Sequence, residues 1–194
     1  MFFSTKGNPD LEKIATILRD SIVKMFVDYA NINISIDAEM NRKNIVDFRD
    51  HHMRADGIEK FNSPSCVGFI NYYLNKKNLD AHDPVGAIVV YVENSYISPL
   101  MKLLKYPPLD EEDDEALLDG VGTICNILAG SFKLEMSVNG YADLEMSAFQ
   151  THRNSALTGV KFNPKEFFMY ELVFYIKKEK RIVLEFTMGM VPKK

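Results

Sequence analysis

The sequence predicts an α+β domain, a mostly antiparallel β-sheet with long helices packed on one side. Three observations carry this. Apolar residues recur at helical spacing from Leu11 to Tyr29 and again from Leu117 to Phe132. Two nearly continuous apolar runs, Cys66 to Leu74 and Val85 to Val92, fall between those helices. The chain then closes on a hairpin, Tyr170 to Lys177 with Arg181 to Met188.

The 194 residues are read as one domain spanning 1–194, long enough to bury a continuous core. Apolar content of 46% and charged content of 26% are ordinary for a globular protein. A net charge of −4 offers no basic footprint, so no nucleic-acid partner is expected. Cys66 and Cys125 lie in apolar runs without metal-site spacing, and are expected as reduced, buried thiols. The start, MFFSTKGNPD, lacks a basic region followed by an apolar stretch. No apolar run approaches the roughly 20 residues of a membrane span, so the expectation is a cytoplasmic protein without a membrane partner.

Asn8-Pro9-Asp10 offers a helix start, with either polar residue as cap. Ile14, Leu18, Ile22, Met25 and Phe26 then mark one helix face, fading near Asn31. Ile32, Ile34 and Ile36 alternate with polar residues, the period of a half-buried strand. Residues 39–65 mix charges with isolated hydrophobes, and fit a loop with a strand inside it. The two apolar strands follow, joined by the turn-rich NKKNLDAHDP. Glu93 to Tyr106 reads as a short helix capped by Asn94 or Ser95, with Pro99 near its first turn and Pro107-Pro108 ending it. After the next helix, which extends to about Ser137, Asn139-Gly140 marks a turn and Leu144 to Phe149 a short strand. Residues 151–166 read as a loop.

The stretch PPLDEEDDEALLDGVGTICNILAGSFK, Pro107 to Lys133, is the most informative. At about 100° per residue, Leu117, Val121, Ile124, Leu128 and Phe132 share one face. Asp119, Thr123, Asn126 and Gly130 lie within about 40° of one another's mean direction opposite, with Gly122 and Lys133 at the margin. Gly120, Gly122 and Gly130 each sacrifice about 1 kcal/mol of helix propensity relative to Ala. Close approach of another backbone is the physical reason for such glycines. That backbone belongs either to a docking partner or to this chain's own fold. On the first reading Asn126, donor and acceptor at once, can orient a water for in-line attack without titrating. On the second it bonds a neighbouring loop. The acidic run Asp110 to Glu115 complements the helix dipole.

The segment LDGVGTICNILAGSFK, Leu118 to Lys133, resembles the central helix of the CheC/CheX/FliY chemotaxis phosphatases, CheX most closely, with Asn126 and Gly130 at the motif positions. GAIVVYVENSYISPLMKLL resembles the family's strand followed by a helix, and the likeness covers most of residues 10–190, with 39–65 and 150–166 longer than usual. The resemblance implies a CheY-like receiver domain as partner, and removal of phosphate from its aspartyl phosphate. Asn126 would orient the water. No cofactor of the chain's own is implied, because Mg2+ is carried by the receiver. Gly122, Gly130 and Lys133 would form the docking surface, and a homodimer through the sheet is implied as well. One position departs from the pattern: Thr123 stands where the family has a Glu that contacts the receiver's lysine. Asp119, one turn earlier, is a partial substitute at most. The expectation is therefore a receiver-binding protein with weakened phosphatase activity. The alternatives are a non-catalytic receiver-binding module or a flagellar-switch scaffold.

Other chemistry finds little support. His51 and His52 would face opposite sides of a strand, and His82 and His152 are distant, so no metal site is expected. Ser137, Ser147 and Ser155 lie in no nucleophile elbow. Tyr72, Tyr73, Phe167 and Phe168 are expected in the sheet core.

Overall fold

The computed structural model describes residues 7–30, 36–153 and 158–194. The predicted strand at Ile32 and Ile34 lies outside these. The elements run α1 (Leu11–Ala30), β1 (Ile36–Asn44), β2 (Asp47–Arg49), β3 (His52–Ala55), β4 (Ser65–Tyr73), α2 (Lys76–Asp80) and β5 (Gly86–Glu93). They continue as α3 (Asn94–Leu103), α4 (Asp114–Val138), β6 (Glu145–Met146), β7 (Gln150–Arg153), β8 (Thr158–Lys161), β9 (Phe168–Ile176) and β10 (Glu179–Met188). The main sheet has the order β1-β9-β10-β5-β4-β6, with β7 also on β4, and its pairings are antiparallel. A second sheet, β2-β3-β8, is antiparallel too. The predicted α+β class holds.

The central strands explain themselves by alternation. Cys66, Ile70, Tyr72, Ile88, Val90 and Val92 join the core under the helices. Their neighbours Val67, Phe69, Ala87, Val89 and Tyr91 join a smaller core on the opposite face. Both faces are dry, so β4 and β5 read as continuous apolar runs. The opposite face is covered by the second sheet, through Met53, Ala55 and Val160. Here the structure corrects two expectations. Residues 39–65, expected as a loop with a strand inside it, hold most of β1 and all of β2 and β3, and residues 151–166, expected as a loop, hold most of β7 and all of β8. The expected strand through Ile36 reaches only the start of β1, whose further described side chains are exposed or half-buried, with Ala38 and Met40 packed on the core and the β9 ladder holding the rest. Phe167, expected in the core, is exposed.

α1 begins where Asn8 accepts from the Asp10 N–H at 2.9 Å. The Asn8 amide also donates to the Met188 and Gly189 carbonyls, fastening the helix start to the end of β10. α3 starts at Asn94 with Glu93 as cap residue, one position before the expected caps, and Pro99 lies inside the helix rather than near its first turn. α4 starts late in its acidic run, at Asp114. Asp110 accepts from the Glu112 N–H in a local turn, and Asp113 caps the helix through the Glu115 and Ala116 N–H groups. α4 has the length and hydropathy of a membrane span, a test that core helices also pass, and half of that window is buried inside the fold.

α4 crosses the sheet in direct contact with β4. Gly68 makes this approach feasible: a Cβ there would lie 3.1 Å from Cys125 Cβ and 3.3 Å from the Val121 carbonyl oxygen. Phe132 packs edge-on against Tyr72 and Phe186, at 5.5 and 5.2 Å between ring centroids. The Tyr72 hydroxyl donates to the Ala129 carbonyl at 3.1 Å. Leu117, Val121, Ile124, Leu128 and Phe132 are all buried, each contributing about 2 kcal/mol from area alone. That face fixes the helix rotation, and so decides what the other face presents.

Candidate functional site

The outward face of α4 carries the predicted stripe. Asp119 and Asn126 are exposed, and Thr123, Gly130 and Lys133 are half-buried. Asn126 has no hydrogen-bond partner among the described residues, so its amide is free to bind outward. A Cβ built on Gly130 meets nothing within 4 Å, which leaves the helix backbone open to a visitor there. Two other glycines answer to this chain's own packing. Gly120 is filled by Leu109 and Ile97, and Gly122 is buried beneath the Phe149 ring. Of the three predicted docking positions, Gly130 is open and Gly122 is covered. Lys133 is half-buried and acts with Lys194 to hold Asp143 below the usual carboxylate range, the Lys194 hydrogen bond being the larger cause.

A groove of about 420 Å³ runs between α1 and α4 at this stripe. Asn126, Gly130 and Ser131 line it from α4, and Lys24, Asp28 and Tyr29 from α1. Lys24 bridges to Glu135 across the groove at 2.9 Å. Further along α4, Leu134 and Val138 are 69% and 78% exposed. Sequence reasoning missed these flanking residues. A signal was present in apolar residues on the polar side of the helix, but α1's contribution depends on how the two helices pack.

The remaining candidates are inert in place. Cys66 and Cys125 are free and buried, as expected. Burial pushes the Cys66 thiol up to about 11 and Cys125 higher still. His152 stacks on Phe69, with centroids 5.8 Å apart. Among the described residues no His, Cys, Asp and Glu side chains gather as a metal site.

No family model matches the chain, and no curated protein matches it in sequence. Solved structures do match in fold. A CheC-like superfamily protein from Shewanella sp. PV-4 aligns with TM-score 0.58 at 16% identity, over 91% of this chain and 97% of that one. FliY from Thermotoga maritima aligns with TM-score 0.57 at 15% identity, over 97% and 92%. The CheX of a CheX–CheY complex with BeF3 and magnesium, from Borrelia burgdorferi, aligns with TM-score 0.52 at 12% identity, over 91% and 98%. The antiparallel sheet, the helices on one face and the crossing of α4 are thus those of the CheC/CheX/FliY chemotaxis-protein fold.

Proposed function

We propose that this chain docks a CheY-like receiver domain on the α4 stripe and hydrolyses its aspartyl phosphate weakly. The observation that carries the reading is the unpartnered, exposed Asn126 amide beside the open backbone at Gly130. The Asn126 side chain would accept from a water and hold it in line with the phosphorus. The water oxygen bonds to phosphorus, the bond to the aspartyl oxygen breaks, and the carboxylate leaves with the electron pair. The water's proton departs with inorganic phosphate. Mg2+ belongs to the receiver in this scheme, and supplies charge neutralisation there.

Thr123 limits the rate. It is half-buried and uncharged, so it cannot pair with a cation near the phosphate. Asp119 is exposed one turn earlier, too far along the axis to replace it fully. The same residue favours a second reading, a binding module that holds a receiver without chemistry. A homodimer through the sheet would use one of its ends, β1 or the β6/β7 side, because the second sheet covers the face away from the helices.

Acyl-phosphate decay in receiver domains that bind the chain tests the proposal. The native chain should accelerate decay, Asn126→Ala should lower that acceleration about 100-fold, and Thr123→Glu should raise it about tenfold. If decay is unaltered for every receiver that binds, and Thr123→Glu adds nothing, catalysis is refuted and the binding module stands.

A further inference from the structure

We propose that the groove where α1, α3 and the β9–β10 turn meet is a docking site for an acidic peptide segment of another protein, carrying one apolar anchor. The groove encloses about 530 Å³. Tyr29, Tyr96, Pro99, Leu103 and Ile176 give it apolar walls. Lys102, Lys105, Lys177 and Arg181 line it as well, against the lone carboxylate of Glu179. Arg181 is already committed: it pairs with Glu179 and Glu93, and its guanidinium lies 4.4 Å from the Tyr96 ring centroid. The three lysines are not. None has an ion pair among the described residues, and Lys105 faces the Tyr29 ring at 6.0 Å. Uncompensated positive charge is thus concentrated at one apolar groove in a chain of net charge −4.

The backbone adds an independent observation. Lys105, Lys177 and Lys178 have φ of 63°, 54° and 66°, the region that glycine and asparagine favour. Lys105 follows the α3 C-cap, where glycine is the usual residue. Lys177-Lys178 forms the two-residue turn between Ile176 and Glu179, where Asn-Gly is preferred. Cations therefore stand at three positions where local conformation calls for a different residue, and two of them, Lys105 and Lys177, line this groove. Lys105 also complements the α3 dipole. The turn lysines have no such local reason.

A concave, aromatic-walled groove receives a side chain, and its lysine rim selects carboxylates beside that anchor. A bilayer surface would instead need a protruding apolar residue at the turn, where the chain has lysines. Tyr29 borders both this groove and the Asn126 groove, but the proposal does not depend on the receiver reading.

The test is a display library of acidic peptides, each with one aromatic or aliphatic anchor, panned on the full chain. Selected peptides are measured by fluorescence anisotropy. Binding should weaken about tenfold when the peptide carboxylates become amides, and about tenfold in Lys177→Asn/Lys178→Gly and in Lys105→Gly. Because these variants install the residues the backbone favours, their thermal midpoints should stay level or rise by up to about 3 °C. Loss of binding with retained stability supports the proposal. Selection of no acidic peptide overturns it, as does binding indifferent to these substitutions. So does a result in which phosphatidylserine vesicles or a second copy of the chain, and no peptide, show the lysine-dependent binding.

Discussion

The ring of Phe149 lies across Gly122 on α4, in the space a Cβ would take. A residue from the connection after β6 thereby covers a position that would otherwise belong to the outward stripe. The pair accounts for one glycine of the helix without any partner protein.

A double-mutant cycle should register the pairing. Gly122→Ala alone should destabilise the chain by about 1 kcal/mol, because the ring must leave a part-buried site. In a Phe149→Ala background the same change should stabilise by about 1 kcal/mol, the ordinary helix-propensity gain of alanine. Urea unfolding of the four proteins measures both numbers. Additive effects would show that the ring and the glycine are independent.

Gly130 should behave in the opposite way. With open space around its Cβ position, Gly130→Ala should raise stability by about 1 kcal/mol and keep the fold. If a receiver domain docks here as proposed, its binding should weaken at the same time, since a methyl group then stands in the space left open for a partner backbone. Calorimetric titration with a receiver, paired with thermal unfolding, reads the two effects together. Unchanged affinity would remove Gly130 from the interface.

A buried charge network ties the connection between β3 and β4 to the main sheet, and it gives a pH signature. Lys60 lies 2.8 Å from Glu171 and also bridges to Glu185, whose other oxygen accepts from the Tyr91 hydroxyl at 2.5 Å. Burial alone would raise Glu171, but Lys43 and Lys60 outweigh it and hold its carboxyl below the usual range. Its contribution to stability is therefore fully present above the unfolded value near about 4.3, and is lost as pH falls through the lower folded value. Lys60 is shifted up, its two carboxylate partners outweighing burial, so its share persists below about 10.4 and fades as pH rises through the folded value. Lys60→Met should cost about 3–5 kcal/mol at pH 7, because it strands buried carboxylates. That deficit should narrow as pH falls, because Glu171 keeps its burial and loses one of the cations that hold its carboxyl low. Thermal midpoints across pH 4–8 test this, and a deficit constant with pH would rule it out.

The legible parts of this fold are those where burial writes a period into the sequence. α1 and α4 showed their apolar stripes, β4 and β5 their two-sided burial, and β9–β10 its hairpin. β1 was legible only at its start, because Asp37, Glu39 and residues 41–44 are exposed, Ala38 and Met40 are only half-buried against the core, and its pairing comes from the β9 ladder. β7 and β8 are short and lean on partners distant in sequence, as in the stack of His152 on Phe69. In the site, the rotation of α4 put Asn126 and Gly130 where a 100° step predicts. The cover over Gly122 and the α1 wall of the groove come from other segments, so no helical wheel contains them.

The close seating of α4 on Gly68 of β4 has an evolutionary consequence. The apolar inner face anchors the helix, so exposed positions of the outer face such as Asp119 and Asn126 are free to change at little cost to the fold. Under the proposed function, Glu in place of Thr123 would leave the same scaffold standing. Chemistry and architecture would then be inherited separately, with a silent binder and an active hydrolase differing at a single codon.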